Sequence, residues 1–213
     1  MHLLQKQKEK INGKKIIYHG RMEEGLKFIT PHKCKHDKAY VYASENKALC
    51  VIFAVKRKGE NIDFGVSKLG KVYIREFYEG AFEDRFSLRS LCLYKLNRKD
   101  FERKTEYIEL VSDKEVEVVD YEFIPDAAKY LLKLEKENKV KILRYALMNS
   151  KQRSEMNELL VKSLKKYSSF VPLSVEEISK LDEEKKLNYL IQEERWNFCK
   201  KKFPRLMERI KKV

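Results

Sequence analysis

Glycine, proline and cysteine are all scarce in this chain of 213 residues, at 7, 4 and 4. Collagen-like and linker-rich classes need far more of the first two and are excluded. The cysteines, at positions 34, 50, 92 and 199, form no CxxC pair. A chain of this length buries a core without a disulfide framework. Cys50 and Cys92 sit in apolar runs and read as buried thiols, which fits a reducing cytoplasm. Long apolar runs are missing as well. The longest, Ala48 to Val55, is far short of a membrane span. The first residues, Met1 to Lys6, hold too short an apolar stretch for a signal peptide. The expectation is a cytoplasmic protein with no membrane partner. The generic P-loop, GxGxxG, GxSxG, HExxH and EF-hand signatures are absent.

What is present is apolar residue and charge. The apolar fraction is 43%, with 12 Tyr and 11 Phe, enough for a core. The charged fraction is 38%, of both signs and interspersed, which is a solvated surface and not a disordered chain. The net charge of +14 is uneven: residues 1–126 carry 25 Lys+Arg against 21 Asp+Glu, and residues 127–213 carry 22 against 12. A basic surplus in one segment attracts polyanions such as nucleic acid. A Lys-rich composition with no such role gives the same count.

Pattern divides the chain near residue 126. Before it, Lys15–Gly20, Ala39–Ser44, Ile62–Phe77, Leu91–Leu96, Tyr107–Val111 and Glu115–Phe123 read as strands, with Gly65 and Gly70 as turn signals. Ser44 is placed to cap a helix over Lys47–Val55. After it, Asp126 caps a helix running to about Met148, with apolar positions Leu131, Leu134, Ile142 and Tyr145. Met156, Leu159, Leu160, Leu164 and Tyr167 repeat at helical spacing, and Ser174 with Glu177 forms a capping box. Pro204 opens a last helix. The fold class is α+β: a sheet domain over 1–126, then a basic, all-helical segment over 127–213.

One cluster has metal-ligand chemistry. His32, Cys34 and His36 stand at period two, so a strand would place them on one face. A fourth ligand and the usual spacing are missing, and the expectation is no metal.

Three short pieces carry more. Tyr18-His19-Gly20 ends a strand. Val41-Tyr42-Ala43-Ser44 is a strand leading into a helix. Thr105-Glu106-Tyr107-Ile108 opens a strand after a loop. Alone, each is ordinary: a hydrogen-bonded structural histidine, a core tyrosine, a solvated glutamate. Together they resemble the His-Tyr-Glu class of the ADP-ribosyltransferase fold, shared by diphtheria-type toxins and poly-ADP-ribose polymerases. The stretch also resembles a group of small bacterial proteins with a Tyr-His-Gly opening and a Val-Tyr-Ala second strand. The resemblance covers roughly residues 15–126, leaves 56–90 unaligned and leaves the C-terminal helices unexplained.

The resemblance implies a split antiparallel sheet and NAD as substrate. It implies a mono-ADP-ribosyltransferase acting on a macromolecular acceptor. Glu106 would stabilise the oxocarbenium-like ribose. His19 would donate to a ribose hydroxyl on the adenosine side. The backbone of Gly20 would pair with the nicotinamide amide, where the absence of Cβ permits close approach. Tyr42 would stack on the nicotinamide ring. Tyr40 shares the strand face of Tyr42, and Glu109 follows Glu106 closely, so each is an alternative for its role. Glu115-x-Glu117 matches the other, Arg-Ser-Glu class, but the Ser-Thr-Ser strand of that class is absent. The alternative function is an inactive transferase-like module whose basic helices bind nucleic acid or a protein partner.

Overall fold

The computed structural model describes residues 10–11, 14–33, 38–56, 59–67, 70–102, 109–167 and 169–211. In chain order the elements begin with β1 (Lys10–Ile11), β2 (Lys14–Arg21), β3 (Phe28–Ile29), β4 (Val41–Ser44) and α1 (Lys47–Ala54). Then come β5 (Ile62–Val66), β6 (Val72–Glu76), α2 (Ala81–Phe86), β7 (Leu91–Asn97), β8 (Glu109–Ser112), β9 (Val116–Ile124) and α3 (Ala127–Lys136). The chain closes with β10 (Val140–Leu143), α4 (Ser150–Leu164), α5 (Val175–Ser179), α6 (Glu183–Lys202) and α7 (Pro204–Lys211). The fold is α+β. Among the described residues no helix is long and apolar enough to cross a membrane.

The chain forms two compact units, one of Met1–Val55 with Phe86–Lys139, the other of Lys56–Arg85 with Val140–Val213. This division differs from a single boundary at residue 126. Helix α3 falls in the first unit, and the segment that the resemblance leaves unaligned falls in the second. By sequence count the second unit holds 25 Lys+Arg against 16 Asp+Glu, so it carries most of the basic surplus.

The first unit is an antiparallel sheet in the order β3-β9-β7-β2-β4-β8, with β1 on β2. Its strands are buried on one face by a cluster that includes Ile17, Val41, Ala43, Tyr94, Leu96 and Leu110. The other face of β2 meets α1. That helix is capped by Asn46, whose Oδ1 accepts from Ala48 N and Leu49 N at 3.0 and 3.3 Å. Ser44 stands two residues too early to cap it; its Oγ accepts instead from Asn46 N at 3.1 Å and so orients the cap. Asp126 caps α3 as expected, accepting from Lys129 N at 3.0 Å.

The segment 127–213 is not all-helical. The helix opened by Asp126 ends at Lys136, because Asn138 takes a left-handed conformation with φ 59°. Val140–Leu143 then runs as a strand, β10, parallel to β6, with Val140 and Ile142 buried. Strand β5 pairs with β6 from the other side, antiparallel. Gly65 is not a turn residue. It lies within β5 and opposes Tyr73, whose hydroxyl would stand 2.4 Å from an added Cβ. The core joins Phe77 to Met156, Leu160, Leu164 and Trp196. Glu60 accepts from Lys166 and from the Tyr167 hydroxyl. The segment 56–85 and the C-terminal helices therefore share one core. The capping box at Ser174 and Glu177 is formed, and Pro204 opens α7.

Candidate functional site

In the first unit His19, Gly20 and Tyr42 stand at a break in the sheet. Strand β2 pairs with β7 over six positions, Ile16 to Arg21, and β4 pairs with β8 over four. Between β2 and β4 the ladder is a single pair, Tyr18 opposite Ser44. One residue beyond it, the His19 side chain crosses to β4. Its Nδ1 lies 2.6 Å from the main-chain oxygen of Tyr42. The contact joins the His19 ring to the Tyr42 main chain. Tyr18 pairs with Ser44, so the Tyr42 ring lies on the Tyr18 face of the sheet and His19 on the other, at the break between them.

That bond fixes the tautomer. A carbonyl oxygen only accepts, so Nδ1 carries the proton. His19 is 7% exposed, and burial lowers its pKa from 6.5 to about 4, against a smaller upward pull from the Tyr42 bond. The ring is therefore neutral at pH 7, and Nε2 is a bare acceptor. It is buried and has no hydrogen-bond partner among the described residues. A ribose hydroxyl here would donate to His19, the reverse of the direction expected from the sequence.

The pH dependence follows. Between about pH 4 and 6.5 the unfolded chain protonates this imidazole and the folded chain does not. The His19 contribution to stability is thus complete above pH 6.5 and is lost as the pH falls to about 4. Imidazole 15N shifts should show His19 neutral at pH 5.5; a protonated ring there would contradict the assignment.

Around this bond lie aromatic and cationic groups. The Tyr42 ring is half-buried, with its centroid 6.0 Å from that of His32 and 6.1 Å from that of Tyr40, both at steep interplanar angles. His32 is also held below its ordinary range, by partial burial and then by Arg21. Tyr40 pairs across a short bridge with His32.

Gly20 follows His19, but the open side of its α-carbon is already occupied. A Cβ there would stand 2.2 Å from the Cys50 carbonyl oxygen and 2.9 Å from the Ala54 Cβ. Helix α1 packs directly on this glycine, so the missing side chain serves helix–strand contact. Cys50 donates from Sγ to the Tyr18 oxygen at 3.1 Å, and burial pushes its thiol up to about 12. It is a structural group.

Glu106 lies outside the described residues, as do Cys34 and His36 of the histidine–cysteine cluster. Among the described residues no three His, Cys, Asp or Glu side chains form a metal-binding group. Glu102 and Glu109 bound the 103–108 segment. The backbone of Glu102 exchanges two hydrogen bonds of 2.9 Å with Val111. Glu109 stands opposite Ser44, so it lies on the Tyr42 face of the sheet, diagonal to that tyrosine by about 7–8 Å between Cβ atoms. A cleft of about 550 Å3 opens beside these strands, lined by Phe28, Tyr40, Phe101, Glu102, Val111 and Ser112 among others. It reaches the aromatic pair through Tyr40, but neither His19 nor Tyr42 lines it. Arg21 was not singled out from the sequence. The position of Arg21, two residues after His19 on one strand, was the signal for it.

Comparison of the chain with protein-family models, with curated proteins and with solved structures gives no match.

Proposed function

We propose that the first unit binds NAD beside His19 and Tyr42 and transfers its ADP-ribose to a macromolecular acceptor. The observation that carries this reading is the bond from His19 to the Tyr42 main chain at the sheet break, which leaves Nε2 a buried acceptor with no hydrogen-bond partner among the described residues. A ribose hydroxyl supplies the missing donor. Tyr42 offers a ring for the nicotinamide, and the backbone beside Gly20 offers polar groups for its amide. In the reaction the bond between ribose C1′ and the nicotinamide nitrogen breaks, and its electron pair returns to the pyridinium ring. The acceptor nucleophile bonds to C1′ and releases its proton. Charge develops on the ribose, and a carboxylate held near it lowers the barrier. Glu106 is assigned that role, with Glu109 as the alternative because it shares the Tyr42 face.

The nucleic-acid alternative gains little from the surface charge. On α4 the exposed Lys151 and Lys162 share one face with exposed Glu155 and Glu158. A phosphate-tracking helix would separate the signs.

The test is nicotinamide release from NAD, with and without cell lysate as acceptor, alongside melting curves. A ligand bound only by the native state raises the melting temperature. Release together with a raised Tm is expected. A chain that gives neither contradicts the reading.

A further inference from the structure

Resting on that reading, we propose that Arg21 is a phosphate-binding residue of the same site and that it holds a phosphate of the dinucleotide. Side chains alternate along β2, so Arg21 lies on the His19 face, about 7 Å further along the strand. The Arg21 guanidinium acts electrostatically on both His19 and His32, so the three groups share one region. The charged or titratable neighbours acting on His19 are Arg21 and His32, and neither is acidic. With both imidazoles neutral, Arg21 is the fixed cation there.

Its own pairing is weak. The Arg21 side chain is 32% exposed and meets Glu23 at 3.4 Å, while Glu23 is 65% exposed. Such a pair contributes little and is easily exchanged for a better anion. Arg21 Nε is buried with no hydrogen-bond partner among the described residues. A guanidinium presents a planar fork that fits two phosphate oxygens. The region thus combines a bare acceptor at His19 Nε2 with an underused cation two residues along the same strand face. A ribose hydroxyl and a nearby phosphate satisfy both together, and a nucleoside without phosphate satisfies only the first.

Two phosphates could be read. The bridging diphosphate is common to NAD and NADP. The 2′-phosphate belongs to NADP alone, and a cation near the adenosine ribose is a known way to hold it. The shared chemistry is a ribose-linked phosphate.

The experiment is calorimetric titration of wild type, Arg21→Ala and Arg21→Lys with NAD, NADP, ADP and adenosine. Circular dichroism on each variant checks that it folds. Losing a charge-assisted bidentate contact should weaken phosphate-bearing ligands by about 10- to 100-fold in Arg21→Ala, with partial recovery in Arg21→Lys. Adenosine should be unaffected. An equal loss for NAD and NADP assigns the diphosphate, and a loss larger for NADP assigns the 2′-phosphate. Wild type that binds NAD while Arg21→Ala binds every ligand equally well overturns the role of Arg21 and leaves the dinucleotide reading standing. Wild type that binds neither dinucleotide overturns that reading; ADP binding that depends on Arg21 then still supports the phosphate site, and its absence removes it. If Arg21→Ala does not fold, Arg21→Lys decides: unchanged affinity for NAD, NADP and ADP at both low and high salt overturns the proposal.

Discussion

Glu106→Gln is expected to lower nicotinamide release by about 100- to 1000-fold and to leave NAD affinity largely intact. The amide keeps the size of the carboxylate and can still accept a hydrogen bond from the ribose. It loses the negative charge that favours the oxocarbenium-like state over the ground state. Only interactions stronger in the transition state accelerate the chemical step. Tyr42→Ala serves as the contrast. A stacking surface acts on bound NAD before and during bond cleavage, so its loss should raise KM more than it lowers kcat. Equal release by wild type and Glu106→Gln would move the carboxylate to Glu109, which stands opposite Ser44 on the Tyr42 face.

Gly20→Ala is expected to destabilise the protein by about 3 kcal/mol. The new methyl would press on the Cys50 carbonyl at 2.2 Å and on the Ala54 Cβ at 2.9 Å, both on the framework of α1. Neither is the far end of a flexible side chain that swings away. Helix α1 would have to lift from β2, and with it go the fully buried Val51 and Ile52. Urea titration followed by circular dichroism measures the loss. A change below about 1 kcal/mol would mean that α1 shifts freely, and the effect of Gly20 would then be on ligand binding alone.

Much of the first unit was legible because its signals are local. Ile16 and Ile17 and Leu91 to Tyr94 are apolar runs, and Val116 to Ile124 mixes β-branched and aromatic residues with three acidic ones; they became parts of β2, β7 and β9. Asp126 and the Ser174–Glu177 box mark helix starts within four residues, so no distant contact is needed to read them. The missed features depend on distant partners. Leu131, Leu134, Ile142 and Tyr145 keep a helical spacing, yet Val140–Leu143 is a strand because β6, some 68 residues earlier, offers it an edge. Glu76 shows the same effect. Its buried carboxylate accepts from Phe82 N at 2.9 Å and from Tyr145 N at 2.8 Å, tying the start of α2 to the end of β10. Nothing in the local sequence joins 56–85 to the C-terminal helices.

At the site, the strands of His19 and Tyr42 were legible, but the contact of the His19 ring with the Tyr42 main chain and its chemistry were not. The sequence allows His19 to donate or accept. The 2.6 Å contact to the Tyr42 carbonyl decides that Nε2 accepts. Likewise Gly20 reads as a ligand-facing glycine until the Cys50 carbonyl is found against its α-carbon.

The central claim is that NAD sits against the His19 acceptor. Its most direct test is the imidazole 15N spectrum of His19, followed at pH 7 as NAD is added. An Nδ1-protonated, neutral ring is expected, with the Nε2 resonance alone moving as it accepts from the ribose. An Nε2 resonance unchanged at saturating NAD would contradict it.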